Sequence, residues 1–481
     1  MKPGYICLAA FAIACVAGCR TTKDVLDDYE RNITIGTYRE APGEAAELAT
    51  KGDDSSLLWH LLAGGGYYMA DDKANARRQF DAAEDMMQRN DANSVFTQGA
   101  QGGLAMMTND RAFPYDGGGQ DRIFTCLYKS IDYMCVGNVT GARTELNRAS
   151  QHQENWIWER RRDVDAATQR MTADADAYSK KQEVKTEGDR SQQTASVLAD
   201  ASFAAQIREK CGFDTATSGN LSTLAASDYM NVYAQHVCGV FRWLDGDGGS
   251  ASLKTAAQLA PATAAARDAN EAVRGGKPSN QVWIWVEDGL CPCREEWRVD
   301  LPLIVFPGVG HYVKYAGMAL PYLRERGAAA LNWSIQAGGA TVPMADLANV
   351  DKLVKTEYDV YMRGALTREI TRTVVKVGTQ IALGAAADHT NDGNHRLALQ
   401  LSQLGVAAWA ASTTAADLRS WTALPKSVKC VRIDRPADGR IDVIADNQRI
   451  QLAVPPGNSM VFLRKPGPLA MPVVKQVTFS R

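Results

Sequence analysis

Apolar positions recur at helical spacing from Ser55 onward. Trp59, Leu62 and Tyr67 mark one helix, and Ala76, Phe80 and Ala83 mark another. The segment Ala70-Asp71-Asp72-Lys73 between them reads as a turn, so the pattern predicts an antiparallel helix pair. It then returns: Tyr133, Gly137, Ala142, Leu146 and Ala149 follow Tyr67, Asp71, Ala76, Phe80 and Ala83 at a constant offset of 66 residues. The alanines let two helices approach closely, and the large residue fills the groove between pairs. A third pair is predicted from Asp228 to Pro261, through Tyr229, Tyr233 and Phe241, a turn at Asp245–Gly249, and on through Ala256 and Leu259. A charged stretch from 142 to about 190 reads as a long solvated helix, with a flexible link at Gly188–Thr194.

Near Lys277 the period changes. Val282–Val286, Trp297–Val305, Val428–Ile433, Ile441–Ala445, Arg449–Val454 and Ser459–Leu463 are short runs rich in β-branched and aromatic residues, divided by turn residues. Two helices, Val350–Ala387 and His395–Ala416, interrupt them. The expected class is α+β: N-terminal α-helical hairpin repeats, then a mostly antiparallel β domain with two inserted helices. Four regions follow: 1–18 a signal peptide, 19–54 a polar tether with one short helix, 55–275 the helical domain with insertions, and 276–481 the α+β domain.

The signal assignment rests on chemistry. Lys2 precedes an apolar stretch, Tyr5–Ala17, too short to span a bilayer, which ends in Val16-Ala17-Gly18-Cys19. Small residues suit a signal-peptidase pocket, and the Cys19 thiol is the point where a lipid thioether forms. The segment resembles a bacterial lipobox. Palmitate-like acyl chains on Cys19 hold a chain to a membrane at roughly 0.8 kcal/mol per buried methylene. Arg20, where an Asp would retain a lipoprotein at the inner membrane, directs the expectation to the outer membrane, facing the periplasm.

Charge excludes one class of partner. With 53 basic and 55 acidic residues there is no surplus for nucleic acid. Export permits disulfides, but seven cysteines remain after Cys19: Cys126, Cys135, Cys211, Cys238, Cys291, Cys293 and Cys430. The odd count leaves at least one thiol unpaired within the chain; Cys211 with Cys238 is the expected pair. Cys126 and Cys135 lie too far apart along one helix to bridge.

Chemistry-bearing motifs are sparse. There is no G-x-S-x-G elbow, H-E-x-x-H pair or phosphate loop, so no catalytic residue, metal or cofactor is expected. Asp245–Gly249 lacks a calcium loop's closing Glu, since the twelfth position is Ala256. His389 and His395 flank Asp392 in what reads as a solvated loop. Arg368, Arg372 and Lys376 stack on one helix face at spacing four and need anions nearby, for which Glu287, Glu296 or Asp417 are available. Arg419 and Trp421 share a face if that segment is extended. The row reads first as an ion-pair network locking helix to sheet, and Trp421 as a residue of the domain core; read functionally, Arg368, Arg372, Lys376, Glu287, Asp417, Arg419 and Trp421 form the candidate anion or partner site.

The helix pairs resemble tetratricopeptide repeats, with one extra residue in the first unit and no tryptophan in the second. Phe113-Pro114-Tyr115, Asp121-Arg122-Ile123, Ala319-Leu320-Pro321 and above all Asp417-Leu418-Arg419-Ser420-Trp421 leading to Leu424-Pro425 resemble an uncharacterised family of bacterial envelope lipoproteins. That family joins a tetratricopeptide-like half to a β-rich half, and no activity is established for it. Its members are often encoded near small lipoproteins that resemble activators of penicillin-binding proteins. The resemblance implies a non-catalytic scaffold or adaptor that binds envelope proteins, cell-wall synthesis lipoproteins among them, in cell-wall or outer-membrane assembly. The alternative is an envelope enzyme or ligand-binding protein acting on cell-wall glycan or peptide through carboxylates such as Glu287 with Asp417.

Overall fold

The structure is a computed structural model that describes residues 21–93, 109–156, 190–302 and 310–479. The expected signal peptide, 1–18, and the expected lipid site, Cys19, lie outside the described residues.

The first departure is at the N-terminus. Residues expected as a tether with one short helix form two packed helices, α1 (Thr22–Ile35) and α2 (Pro42–Ala49). Thr21 and Asp24 cap α1 reciprocally, with Asp24 N–H donating to Thr21 Oγ1 at 3.2 Å and Thr21 N–H to Asp24 Oδ2 at 2.8 Å. Val25, Leu26, Tyr29 and Ile33 fall on one stripe and are buried. Tyr29 Oη donates to the Leu62 carbonyl at 2.7 Å, and Glu30 pairs with Arg326 at 2.6 Å. Few apolar residues suffice here because each meets a neighbour that the sequence places far away.

The helix pairs form as the spacing predicts. α3 (Ser56–Met69) and α4 (Lys73–Asn93) make the first; α5 (Gly119–Cys135) and α6 (139–156) make the second. The 66-residue offset is structural: Ala76 and Ala142, and Phe80 and Leu146, are all fully buried. Asp71 (φ 60°) and Gly137 (φ 72°) make the same left-handed turn. Close approach is visible at Gly64, where an added Cβ would lie 2.5 Å from the Phe80 ring.

Two helices, α7 (Arg190–Ala199) and α8 (Ala201–Cys211), follow, so the expected flexible link at 188–194 is helical where it is described. α9 (Ala226–Tyr229) is a single turn. The third pair is α10 (Val232–Asp245) and α11 (Ser250–Leu259), and α12 (Ala264–Val273) completes the helical half. Of the charged stretch 142–190, residues up to Trp156 continue α6, and the remainder is outside the described residues until Arg190.

The described residues of the C-terminal half contain eleven strands: β1 (Gln281–Asp288), β2 (Cys293–Asp300), β3 (Gly317–Arg324), β4 (Trp333–Ala337), β5 (Ala340–Pro343), β6 (Ala345–Asn349), β7 (Ser427–Asp434), β8 (Arg440–Ala445), β9 (Gln448–Ala453), β10 (Asn458–Lys465) and β11 (Val473–Phe479). A five-stranded sheet has order β11-β10-β1-β7-β6, a four-stranded one β5-β4-β8-β9, and β2 pairs with β3. Among the described residues β1 with β10 is the parallel pair and the other pairings are antiparallel. Helices α13 (Val350–His389) and α14 (Gly393–Thr413) form a hairpin between β6 and β7. The fold is α+β, with N-terminal helices and an antiparallel-rich sheet region.

Strand β1 shows how the layers assemble. Its alternate residues face opposite ways: Trp283 and Trp285 join the core of the helix pairs, while Val282, Ile284 and Val286 join Trp333, Ile335, Val443 and Ile450 of the four-stranded sheet. Helices, five-stranded sheet and four-stranded sheet thus make three layers. Each buried tryptophan removes roughly 150–250 Å² from water, about 4–6 kcal/mol gross at 25 cal/mol per Å². The core is therefore continuous across residues 275 and 276, where the sequence pattern placed a boundary.

Candidate functional site

The basic row of α13 finds its anion, and it is neither Glu287, Glu296 nor Asp417. It is Asp110, on the segment between the first two helix pairs. Asn109 Oδ1 accepts from Arg111 N–H at 3.0 Å, and Asn109 Nδ2 donates to the Thr413 carbonyl at 2.9 Å, which fixes a short turn to the end of α14. Arg368 donates to Asp110 through Nε at 3.0 Å and through its terminal nitrogen at 2.5 Å. Arg372 reaches the same carboxylate at 2.8 Å and also pairs with Glu369. Tyr361 Oη donates to Asp110 at 3.2 Å. Burial would raise the Asp110 pKa, but the two guanidiniums outweigh it and hold the carboxyl well below the usual range.

Lys376, the third member, has a different partner. Its Nζ donates to Thr413 Oγ1 at 2.9 Å and lies 5.2 Å from the Trp409 ring centroid. Burial, reinforced by Arg372 and opposed by Glu369, lowers its pKa to about 8.

Arg419 is a second clamp. It grips Asp417 with Nε at 2.8 Å and a terminal nitrogen at 2.9 Å. It also donates to the carbonyls of Asp54 at 2.8 Å, Phe113 at 2.9 Å and Asp110 at 3.2 Å. One side chain therefore ties three remote segments together. Trp421 lies in the core, 5.8 Å from the Phe80 ring and 6.0 Å edge-on from Tyr128, and against Gly65. The groove between the helix pairs is filled by the protein's own 414–425 segment and sheet.

Glu287 lies in that core as well. It accepts from Tyr128 Oη at 2.9 Å and Tyr233 Oη at 2.8 Å, with Arg464 Nε at 3.6 Å. Burial raises its pKa against the pull of Arg464 and the two tyrosines. Glu287 and Asp417 are thus each held by an arginine, an arrangement that uses carboxylates to close packing and counts against acid–base work. Glu296 accepts from Arg298 at 2.9 Å and from Ala416 N–H at 2.9 Å.

Two constellations that sequence reading missed have the composition of sites. His236, Asp268 and Cys430 are fully buried together. His236 Nε2 lies 2.8 Å from Asp268, and Cys430 Sγ lies 3.9 Å from Nδ1, an order reminiscent of nucleophile, base and orienting acid. Yet Trp285 Nε1–H donates to that same Nδ1 at 3.1 Å. Indole nitrogen only donates, so Nδ1 is an occupied acceptor and Nε2 carries the proton toward Asp268. Asp268 also takes Trp283 Nε1 at 3.0 Å and Arg432 at 2.8 Å. The group fastens helices to sheet.

Glu84, Cys126 and Glu145 place possible metal-ligating atoms within 4.8 Å of one another. Lys129 Nζ already sits among them, 2.7 Å from Glu84, 2.9 Å from Glu145 and 2.7 Å from Asp81, with Arg148 2.8 Å from Glu84. These cations balance the carboxylates, and a divalent ion would have to displace them. The turn at Asp245–Gly249, which lacks a calcium loop's closing Glu, closes α10 at Gly246 and joins it to α11, and Asp392 caps α14 by accepting from Asn394 N–H at 2.8 Å.

Cys211 and Cys238 are not bridged; all seven described cysteines are free thiols. Cys211 packs with Phe203, Ile207 and Phe213, whereas Cys238 belongs to the core of the helix pairs. Cys291 and Cys293 are buried, and burial pushes the Cys291 thiol up to about 12.

Two shallow recesses of about 330 and 620 Å³ share Arg39 and Ala70 near the first helix-pair turn, and no residue of the candidate site lines them. No helix of the described residues is long and apolar enough to cross a membrane. No family model matches this chain, and neither a curated protein nor a solved structure matches it.

Proposed function

We propose that the protein is a membrane-anchored envelope lipoprotein that acts as a non-catalytic adaptor, held by lipid on Cys19 and binding envelope proteins, cell-wall synthesis lipoproteins among them. The observation that carries this reading is the Arg419 clamp with Trp421 behind it. It uses the charges and the groove that a catalytic or peptide-binding site would need to join the helical and sheet halves. The surface left for a partner is therefore the outside of a joined body, not the inner face of the repeats.

The test is crosslinking in intact envelopes with the wild-type chain and a Cys19→Ala control, read by mass spectrometry, beside labelling with radioactive palmitate. Label on the wild type alone, with a discrete envelope partner lost in the control, is the expected result. Absence of label removes the anchor, and absence of any partner above background removes the adaptor.

A further inference from the structure

Helix α14 carries an apolar face that the rest of the described chain leaves open. Of its 21 residues only Gln403, Ala407 and Ala410 are buried. They form the stripe against α13, and Gln403 pins it by donating to the carbonyls of Tyr312 at 2.7 Å and Gln380 at 3.0 Å. On a separate face, Leu397, Leu401 and Leu404 are 56%, 59% and 54% exposed, and Ala408 continues the row. The spacing of four, three and four is that of a helix–helix seam. Isolated exposed leucines need no explanation, but a pinned stripe of them marks an interaction surface.

We propose that this face pairs with the same face of a second copy, antiparallel, about a two-fold axis between Ser402 and Gln403. The sequence is self-complementary about that point. Leu401 of each copy meets Leu404 of the other, and Leu397 of each meets Ala408, so the larger side chain lies over the smaller one. An isologous two-fold contact requires this reciprocity.

Charge points to the same occupant. From Leu397 to Thr413 there is no Asp, Glu, Lys or Arg. Arg396, at the edge, donates to the carbonyls of Ala387 at 3.1 Å and Thr390 at 2.9 Å and so is turned into its own hairpin. A charged partner would find no counter-ion along the stripe, whereas an identical uncharged stripe needs none. The available size suits a dimer. A 21-residue helix is about 31 Å long, and nearly all its residues are accessible. Only the face carrying the leucine row meets the partner, so each copy contributes a seam of about three helical turns, from Leu397 to Ala408, with the distal turns of α13 beside it. Two hairpins joined in this way form a four-helix bundle.

The experiment has two arms. In intact envelopes, the full lipidated chain carrying Leu401→Cys and Leu404→Cys is oxidised with copper phenanthroline and compared with Leu397→Cys plus Ala408→Cys and with Leu397→Cys plus Leu404→Cys. The first two should give a dimer on a non-reducing gel, and the third should not, because it lies outside the register. In sedimentation equilibrium, the full chain with Cys19→Ala should have twice the monomer mass. Adding Leu401→Glu and Leu404→Glu should weaken association by about 100-fold or more, with an unchanged circular dichroism spectrum, since both positions are exposed. A monomeric parent chain overturns the proposal, whether or not it binds lipid vesicles. So does equal crosslinking in all three pairs.

Discussion

Asp110 makes a residue-scale prediction. Asp110→Asn removes the charge that Arg368 and Arg372 share and leaves a buried guanidinium uncompensated, which should cost about 3–5 kcal/mol in urea unfolding. Because the folded pKa of Asp110 is depressed, its stabilisation is fully present above the unfolded value of about 3.9 and is lost as pH falls below it. The wild type and Asp110→Asn should therefore converge in stability at acid pH. Lys376 has the opposite sign of charge and a different consequence. Its folded pKa of about 8 lies below the unfolded value of about 10.4, so the folded protein binds fewer protons between the two. Stability should rise with pH across that window. Lys376→Met should be more stable relative to wild type at pH 7 than at pH 10.5, by on the order of 1–3 kcal/mol. A pH-independent difference between the two proteins would refute the assignment. Neither residue's partner was readable from spacing: the row of positive charges announced a need for anions, but Asp110 lies more than 250 positions earlier.

Among elements, the helix pairs were legible because their information is local. A period near 3.6, a turn and an offset of 66 residues each concern neighbours in the chain. Gly64→Ala tests the close approach this produces: the new methyl meets Phe80, and the loss should be about 1–3 kcal/mol in thermal or urea unfolding. An unchanged midpoint would mean that the ring gives way freely. Strands were legible where they are buried, as in β1, β7 and β10. Strands β8 and β9 were legible too, by alternation, whereas β3, β4, β5, β6 and β11 were missed and β2 was misplaced. Strand β2 reads Cys-Arg-Glu-Glu-Trp-Arg-Val-Asp, and the run at Trp297–Val305 shifted its expected start; residues 303–305 lie outside the described ones. Strand β3 contains Pro321, a strand-breaking signal that is tolerated because β3 pairs on one side only, with β2.

For the whole molecule, the shared core of helices and sheet has a consequence for unfolding. With Trp283, Trp285, Phe462 and Trp421 packed against residues of the helix pairs, the largest core is built by both halves together, beside the smaller one between the two sheets. Far-ultraviolet circular dichroism and tryptophan fluorescence should therefore report one coincident transition in urea. Two separated transitions would restore the boundary at 275. Trp421→Ala should lower stability by about 3–5 kcal/mol while leaving the helix pairs' secondary structure in place.

The sequence by itself determined the periodic elements, the α+β class and the scarcity of catalytic motifs, because local spacing and composition are enough to specify them. It also supplied the expectation of a lipid on Cys19, which the described residues do not reach. Only the tertiary structure decided what those elements do to one another. It turned the polar stretch after Cys19 into packed helices, gave Arg368 and Arg372 to Asp110, and filled the repeat groove with Trp421. It also left the Leu397–Leu401–Leu404 face open. Burial and charge pairing depend on which distant segments meet, and a one-dimensional pattern records the need for a partner without recording where that partner lies.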